Sequence, residues 1–549
     1  MRKLFASFIL FSFFPMNIFS QNWQTYPYSP VNTLLSFPLD DGRHTTNTTT
    51  EWWYLNLHLI GAAPDYKKYD VMLCYFNKPT TQRIFNIAMP ETGVFHTNVN
   101  QTPLALTSQT AYWGLTYFNL YPSIKDTSIW TYPIDSIPYR YYYHAINSTD
   151  NDALNIYVTS SRPPLNVGGN GYIPEGVEGD SSYYFSYTNM KVEGTIKFAG
   201  VTDTITSGIG WIDRQWGPFS IGTSSSYEWF SLQLDKPGIT WGTPQTPSEF
   251  NMWQIYSDTN DVPYVPGLRF ISGIYPDDSQ DTTCNYIFER LSYWHDASTG
   301  KYFSSSWRLI NPVRNITLDI IPTIPDQLVN VTAFKFWEGS TEIKGVIENK
   351  PVEGLGFAEL VNGHTYLINT PSVPTGLTIT SFADHNTINW NTSTAGTYPV
   401  GGYRVYRSAS TNGYWKYLAS TSALSYDDYS VSPDTLFYYT VTSFDNQTST
   451  SASAYASPVL AGIKDISTEN YFVNIYPNPA KNQITIDITN DMKGSHAVVE
   501  LYSVEGKLIY NRQILKSKTQ LDISGLPLGV YILKIADDNT IVMKRFAKE

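Results

Sequence analysis

The stretch GIGWIDRQWGPF, residues 208–219, sets two tryptophans around an aspartate and an arginine, with glycines before and after. Read as an extended strand, it places Ile212, Arg214 and Trp216 on one face and Trp211, Asp213 and Gln215 on the other. A second stretch, EWWYLNLHL at 51–59, alternates in the same way. Glu51, Trp53, Leu55, Leu57 and Leu59 share one side; Trp52, Tyr54, Asn56 and His58 share the other. A charged Glu at the head of an apolar face belongs at a barrel mouth, where it can bond backbone or pair with an arginine. Glu51 and Arg214 are the candidate pair.

The rest of the chain fits strands. Aromatics make up 15% of the 549 residues, with 42 tyrosines and 15 tryptophans, while charged residues reach only 15%. That charge content lies well below the usual quarter, and Tyr and Thr favour pleated structure. The expectation is an all-β protein, too long for one core and so divided into several. A net charge of −12 leaves no basic stripe to neutralise phosphates, which argues against a nucleic-acid partner.

The first residues, MRKLFASFILFSFF, read as a secretory signal peptide over 1–20, with basic residues ahead of an apolar run. No later stretch approaches the ~18 apolar residues of a membrane span. The two cysteines, Cys74 and Cys284, are expected as buried free thiols, since free Cys packs as a small hydrophobe.

Along the chain, 21–370 alternates in short segments broken by Gly, Pro, Asn and Asp, the rhythm of antiparallel barrels or sandwiches. The rhythm changes at PSVPTGLTITSF (371–382). The proline entry, Trp390 in TINWN, GGYRVYRSAS and LFYYTVTSFD resemble a fibronectin type III module over 373–462. Its Trp390, Tyr406 and Tyr439 are expected in the core or at its corner, and the module as a spacer. Beyond a polar linker, YPNPA, the turn at Glu505–Gly506, LPLGVY and a basic last strand resemble a type IX secretion sorting domain over 469–549. That resemblance implies the type IX machinery as partner, export through the periplasm, and a secreted or cell-surface destination.

Across 33–366 a series of motifs recurs in order: EWWY, the GIGWIDRQWGPF stretch, YEWFSLQLD (227–235), FKFWEGSTEIKG (334–345) and GLGFAELVNGH (354–364). Together they resemble the carotenoid 1,2-hydratase (hydroxyneurosporene synthase) family and its lipocalin-like relatives. The resemblance implies two consecutive lipocalin-like β-barrels, 21–220 and 221–370, around a pocket for a small hydrophobic, isoprenoid-like molecule. In some members it implies water addition to a double bond, or ring closure. It also implies a catalytic His and Trp where this chain has Arg214 and Trp216.

Protonating an alkene carbon needs an acid tuned near neutral pH, such as a histidine or a buried carboxyl. Arginine stays protonated and cannot serve; it can clamp a carboxylate or stack on an indole. Glu228, between Tyr227 and Trp229, is the expected substitute acid, through an aromatic shell that raises its pKa. Arg214, Trp216 and Glu228 are thus the expected catalytic set. His44, Glu51, Trp52, Trp53, Tyr184 and Tyr227 are expected to bind substrate. Asp213 is expected to bond turn amides, and Glu51 and Glu359 strand-end amides. No cofactor motif and no metal-ligand spacing stands out. Three functions remain open: a hydratase- or cyclase-type enzyme, a non-catalytic binding protein for an acidic hydrophobic ligand, and a glycan-binding or adhesive surface protein.

Overall fold

The structure is a computed structural model. It describes residues 22–78, 82–100, 105–108, 113–118, 127–131, 137–175, 179–220, 225–235, 248–257, 268–331, 335–361, 363–382, 384–410, 414–431, 437–445, 459–461, 472–489, 497–503, 507–514, 518–536 and 541–549. The signal peptide read over 1–20 lies outside the described residues.

The architecture is all-β, as the composition and alternation require. Among the described residues the helical elements are two three-residue 3₁₀ turns, Leu39–Asp41 and Val167–Gly169. None is long and apolar enough to cross a membrane.

The first sheet runs from the Thr50–Ile60 strand to the Ser207–Gly217 strand, and these two pair antiparallel at its centre. Lys68–Lys78 flanks the first of them and the 18-residue Ser181–Phe198 strand flanks the second. The sheet curls into a half-barrel around one face of each strand. Trp53, Leu55, Leu57, Leu59, Ile212 and Trp216 meet Tyr141, Tyr143, Phe185 and Tyr187 in one core. The second sheet, Ser225–Asp235 to Lys350–Val361, curls likewise over Phe230, Leu232, Phe250, Trp307, Leu318 and Trp337.

The outer faces of the two central strands are buried as well. Tyr54, Cys74, Tyr184 and Trp211 of the first sheet pack against Trp229, Trp253, Phe336 and Phe357 of the second in a third core. This seam explains why nearly every residue of both motif strands is buried. A strand covered on both faces keeps apolar or hydrogen-bonded side chains on each.

Two smaller sandwiches follow. One packs Ile388, Trp390, Val405, Tyr439 and Val441 between sheets of three and four strands. The other, at the C-terminus, packs Ile484, Ile486, Leu501, Leu533 and Phe546 in the same arrangement.

Two expectations need correction. Cys74 is buried, but Cys284 is exposed, and both are free thiols. Tyr406 is not part of the fibronectin-like core. It packs with Ile310 and Trp415, and its hydroxyl donates to Glu289 of the second sheet at 2.9 Å. Arg404, two residues away on the same strand face, pairs with the same buried carboxylate. The module is therefore bolted to the second sheet rather than spaced from it. A chain ending at residue 370 is expected to melt several degrees below the full protein, at about 2–4 °C for each kcal/mol lost. Calorimetry of the two forms tests this, and equal melting temperatures would return the module to a spacer.

Candidate functional site

The antiparallel register sets Glu51 opposite Trp216 and Trp53 opposite Arg214, so all four side chains converge at one end of the first half-barrel. The Arg214 guanidinium is fully buried and lies 4.1 Å over the Trp53 ring and 5.5 Å over Trp216. It donates to the backbone carbonyls of Asp41, Gly42 and Trp52. It also meets the Glu51 carboxylate at 3.1 Å. A guanidinium taken out of water must find such partners or destabilise the fold. Here its carboxylate is the protein's own. The consequence is mechanical: Arg214 pins the 39–44 segment against the barrel.

That segment carries groups able to move protons. The His44 ring lies flat on Trp216, with centroids 3.8 Å apart and planes 6° apart. Its Nδ1 is 3.2 Å from Glu51 and its Nε2 is 3.2 Å from Asp40. A histidine thus stands against this tryptophan after all, supplied by a loop rather than by position 214. Tyr183 stacks near-parallel to the same indole at 5.3 Å. Burial pushes the Glu51 carboxyl up, but the His44 hydrogen bond and the Arg214 charge outweigh it and hold the group below its ordinary range. Glu51 therefore stays a carboxylate.

Asp41 went unnoticed in the sequence. It is fully buried, and its carboxyl oxygens accept hydrogen bonds from the Tyr187 and Tyr141 hydroxyls at 2.8 and 3.0 Å. Its backbone carbonyl accepts the Trp53 indole N–H at 3.0 Å. Burial raises its pKa to about 7, against the pull of the two tyrosines and Arg214. Tyr141 and Tyr187 are pushed far upward by burial and by the Asp41 charge, so they remain neutral donors. A carboxyl that is half protonated near neutral pH, among aromatic rings, is the kind of acid alkene chemistry needs. The signal was the charged run Asp40-Asp41-Gly-Arg-His44 just before the first long strand.

Of the residues singled out in the sequence, the structure gathers His44, Glu51, Trp53, Arg214 and Trp216. The others stand apart. Glu228 lies in the second sheet, where Arg290 holds both its oxygens at 2.8 Å and Ser304 donates at 2.6 Å. Tyr227 and Trp229 face the seam on the other side of its strand, so they do not enclose Glu228. Trp52 turns outward onto Phe76 and Phe219. Tyr184 and Tyr227 also face the seam, donating to Asp213 and to Glu359.

Asp213 and Glu359 bond side chains rather than the amides expected of them. Asp213 accepts from Tyr184, Ser186 and the Trp211 indole. Burial lifts its pKa to about 7. Glu359 accepts from the Tyr227 hydroxyl. Away from this site, His96, Asp150 and Asp152 bring possible metal-ligand atoms within 4.8 Å of one another, an arrangement that no short sequence spacing announced. Within the group His96 is hydrogen-bonded to Asp152 at 2.9 Å, and Asp150 accepts from Asn147 at 2.8 Å.

The AttH-like family profile matches residues 29–364, close to the span over which the motifs were read. A secretion system C-terminal sorting domain matches residues 474–549. It marks the chain as one delivered by type IX export to the cell surface or beyond. No curated protein matches the chain.

Among solved structures, the chain is similar to a Nitrosomonas europaea protein assigned as an AttH, at 22% identity over 61% of this chain and 99% of that one, with a TM-score of 0.48. It is similar to kievitone hydratase from Nectria haematococca at 18% identity, over 62% of this chain and 99% of that one, with a TM-score of 0.48. A fibronectin-III-like protein from Clostridium thermocellum shares 22% identity over 18% of this chain and 99% of its own, with a TM-score of 0.15.

Proposed function

The chain belongs to the AttH-like family, and we propose that this secreted member binds a small hydrophobic, isoprenoid-like molecule in its first half-barrel and adds water to, or closes a ring across, a carbon–carbon double bond. The observation that carries the reading is the buried Asp41 carboxyl with a pKa of about 7, held in the same pinned segment as the His44–Trp216 stack.

The chemistry balances without a cofactor. The acid form of Asp41 gives its proton to one alkene carbon, leaving a cation at the other. The Glu51 carboxylate favours that cation by its charge. Water, or a hydroxyl of the substrate itself, attacks the cation and forms the new C–O bond. The proton it loses passes to His44, whose nitrogens lie against Asp40 and Glu51, and returns to Asp41. Arg214 is a positioning residue in this scheme, because its donors are taken up by the protein.

The same geometry argues against the simple binding-protein reading, in which Arg214 would hold a ligand's acidic head group: Glu51 already occupies that place. The test is to incubate the full-length protein with a panel of prenylated and polyene alkenes in ¹⁸O-labelled water. Mass spectrometry should show one labelled water gained, or an isomer of unchanged mass but altered retention. If a ligand bound tightly and no member of the panel changed, the protein would be a carrier and the reaction would be discarded.

A further inference from the structure

Two glutamates of the motif series, in FKFWEGSTEIKG and GLGFAELVNGH, have no part in the reaction above. Glu338 and Glu359 sit directly opposite each other on the antiparallel Lys335–Ile347 and Lys350–Val361 strands, both turned into the seam between the half-barrels. Tyr54 reaches across from the first sheet to donate to Glu338 Oε1 at 2.7 Å. Tyr227 donates to Glu359 Oε1 at 2.7 Å. Glu338 is 1% exposed, and its Oε2 has no hydrogen-bond partner.

The surroundings are poor in donors. Asn56, Gln215, Gln233 and Asn251 each give their amide N–H groups to neighbours and leave their carbonyl oxygens without a partner. Asp213 brings a third carboxyl from the first sheet, and its charge acts on both glutamates. The other titratable groups facing this region are Tyr54 and Cys74 from the first two strands, Tyr184 from the long strand, Tyr227, and Glu175, which accepts from Gln215 and is lifted by burial to about 8. The basic groups among the described seam residues are already engaged: Arg162 with Glu249 at 3.1 Å, and His58 with Asp70 at 2.7 Å. Two opposed carboxylates in such a place, Glu338 fully buried and Glu359 partly so, repel each other and lose much of their hydration.

We propose that Glu338 and Glu359 hold a proton between them and with it form a pH-sensitive latch that keeps the two half-barrels docked. The pair titrates as a unit. Burial and the Glu359 charge drive Glu338 well upward. Burial and Asp213 bring Glu359 from 4.5 to about 7, against the lowering by Tyr227. The docked seam therefore binds protons more tightly than the opened one. Docking is strongest below the ordinary carboxyl range, weakens as pH climbs through about 7, and weakens further as Glu338 ionises. The latch is independent of the proposed reaction.

Cys74 reports on it. Its thiol is buried in the seam, and the other cysteine, exposed Cys284, is removed by Cys284→Ser. In that full-length background, the rate of Cys74 modification by a pyridyl disulfide, divided by that of a small free thiol at each pH, measures seam opening. It is expected to rise about tenfold or more from mildly acidic to mildly alkaline pH, one pKa unit being about a tenfold change in the open fraction. Glu338→Gln with Glu359→Gln keeps the oxygens that accept from the tyrosines but removes the charge, and should flatten the profile. A flat profile in the parent, or an unchanged slope in the double variant, overturns the proposal. Should the double variant fail to fold, Glu359→Gln alone must at least halve the slope, and an unaltered slope there is equally fatal.

Discussion

Replacing Arg214 by glutamine is expected to destabilise the first half-barrel by about 3–5 kcal/mol, the scale at which removing one partner of a buried ion pair acts. A glutamine amide cannot reach three backbone carbonyls and a carboxylate at once. The change leaves Glu51 a fully buried anion whose remaining partners are His44 and Asn77. It also frees the segment holding Asp41 and His44, so ligand turnover should fall further than stability alone explains. Arg214→Lys keeps the charge but offers one compact point instead of a fork, and should fall between. Urea titrations of the three proteins, followed by tryptophan fluorescence, check the ranking. A glutamine variant as stable as the parent would mean that the four donated bonds hold nothing in place.

Asp41→Asn should move activity and stability in opposite directions. Loss of a positioned general acid lowers turnover by about 10²–10⁴-fold. Stability should rise, and the sign follows from linkage. Burial lifts the folded pKa of Asp41 from 3.8 to about 7, so the native state holds the proton more tightly than the unfolded chain does. The parent therefore loses stability as pH climbs from about 4 to about 7, and the loss is complete above that range. Asparagine has no such loss. The variant should match the parent in mild acid and exceed it at slightly alkaline pH, the signature of a group kept for function at the expense of the fold. Thermal melts across that range decide it. A variant less stable than the parent at alkaline pH would contradict the account.

Much of the architecture was legible because period-2 alternation is a local property. It placed Trp53, Arg214 and Trp216 on one face and Tyr54, Trp211 and Asp213 on the other, and the antiparallel register did the rest. The same rule, applied to YEWF, would have removed Glu228 from the candidate acids. Tyr227 and Trp229, its neighbours in sequence, necessarily point away from it, and its own face meets Arg290. Alternation could not reveal what covers an outward aromatic face. Tyr184 and Tyr227 looked like pocket residues because a second sheet packed on the first buries such rings as well as a ligand would.

Asp41 and His44 were harder to place. Asp41 ends a single 3₁₀ turn and His44 lies in the loop beyond it, where no periodicity fixes direction, and their positions depend on a guanidinium contributed by a strand far along the chain. The fibronectin-like module shows the same limit. Arg404 and Tyr406 share a strand face, as their spacing requires, but only the fold shows that this face meets Glu289.

The central claim is that the first half-barrel holds a carboxyl acid tuned to neutral pH. Its most direct test needs no substrate. Carboxyl-carbon NMR of the full-length protein labelled at aspartate, with Asp41→Asn to assign the resonance, follows the titration of that one group. The account expects a midpoint at about 7. A midpoint near the ordinary aspartate value of 3.8 would show Asp41 to be a plain buried anion, and the proposed acid would not exist.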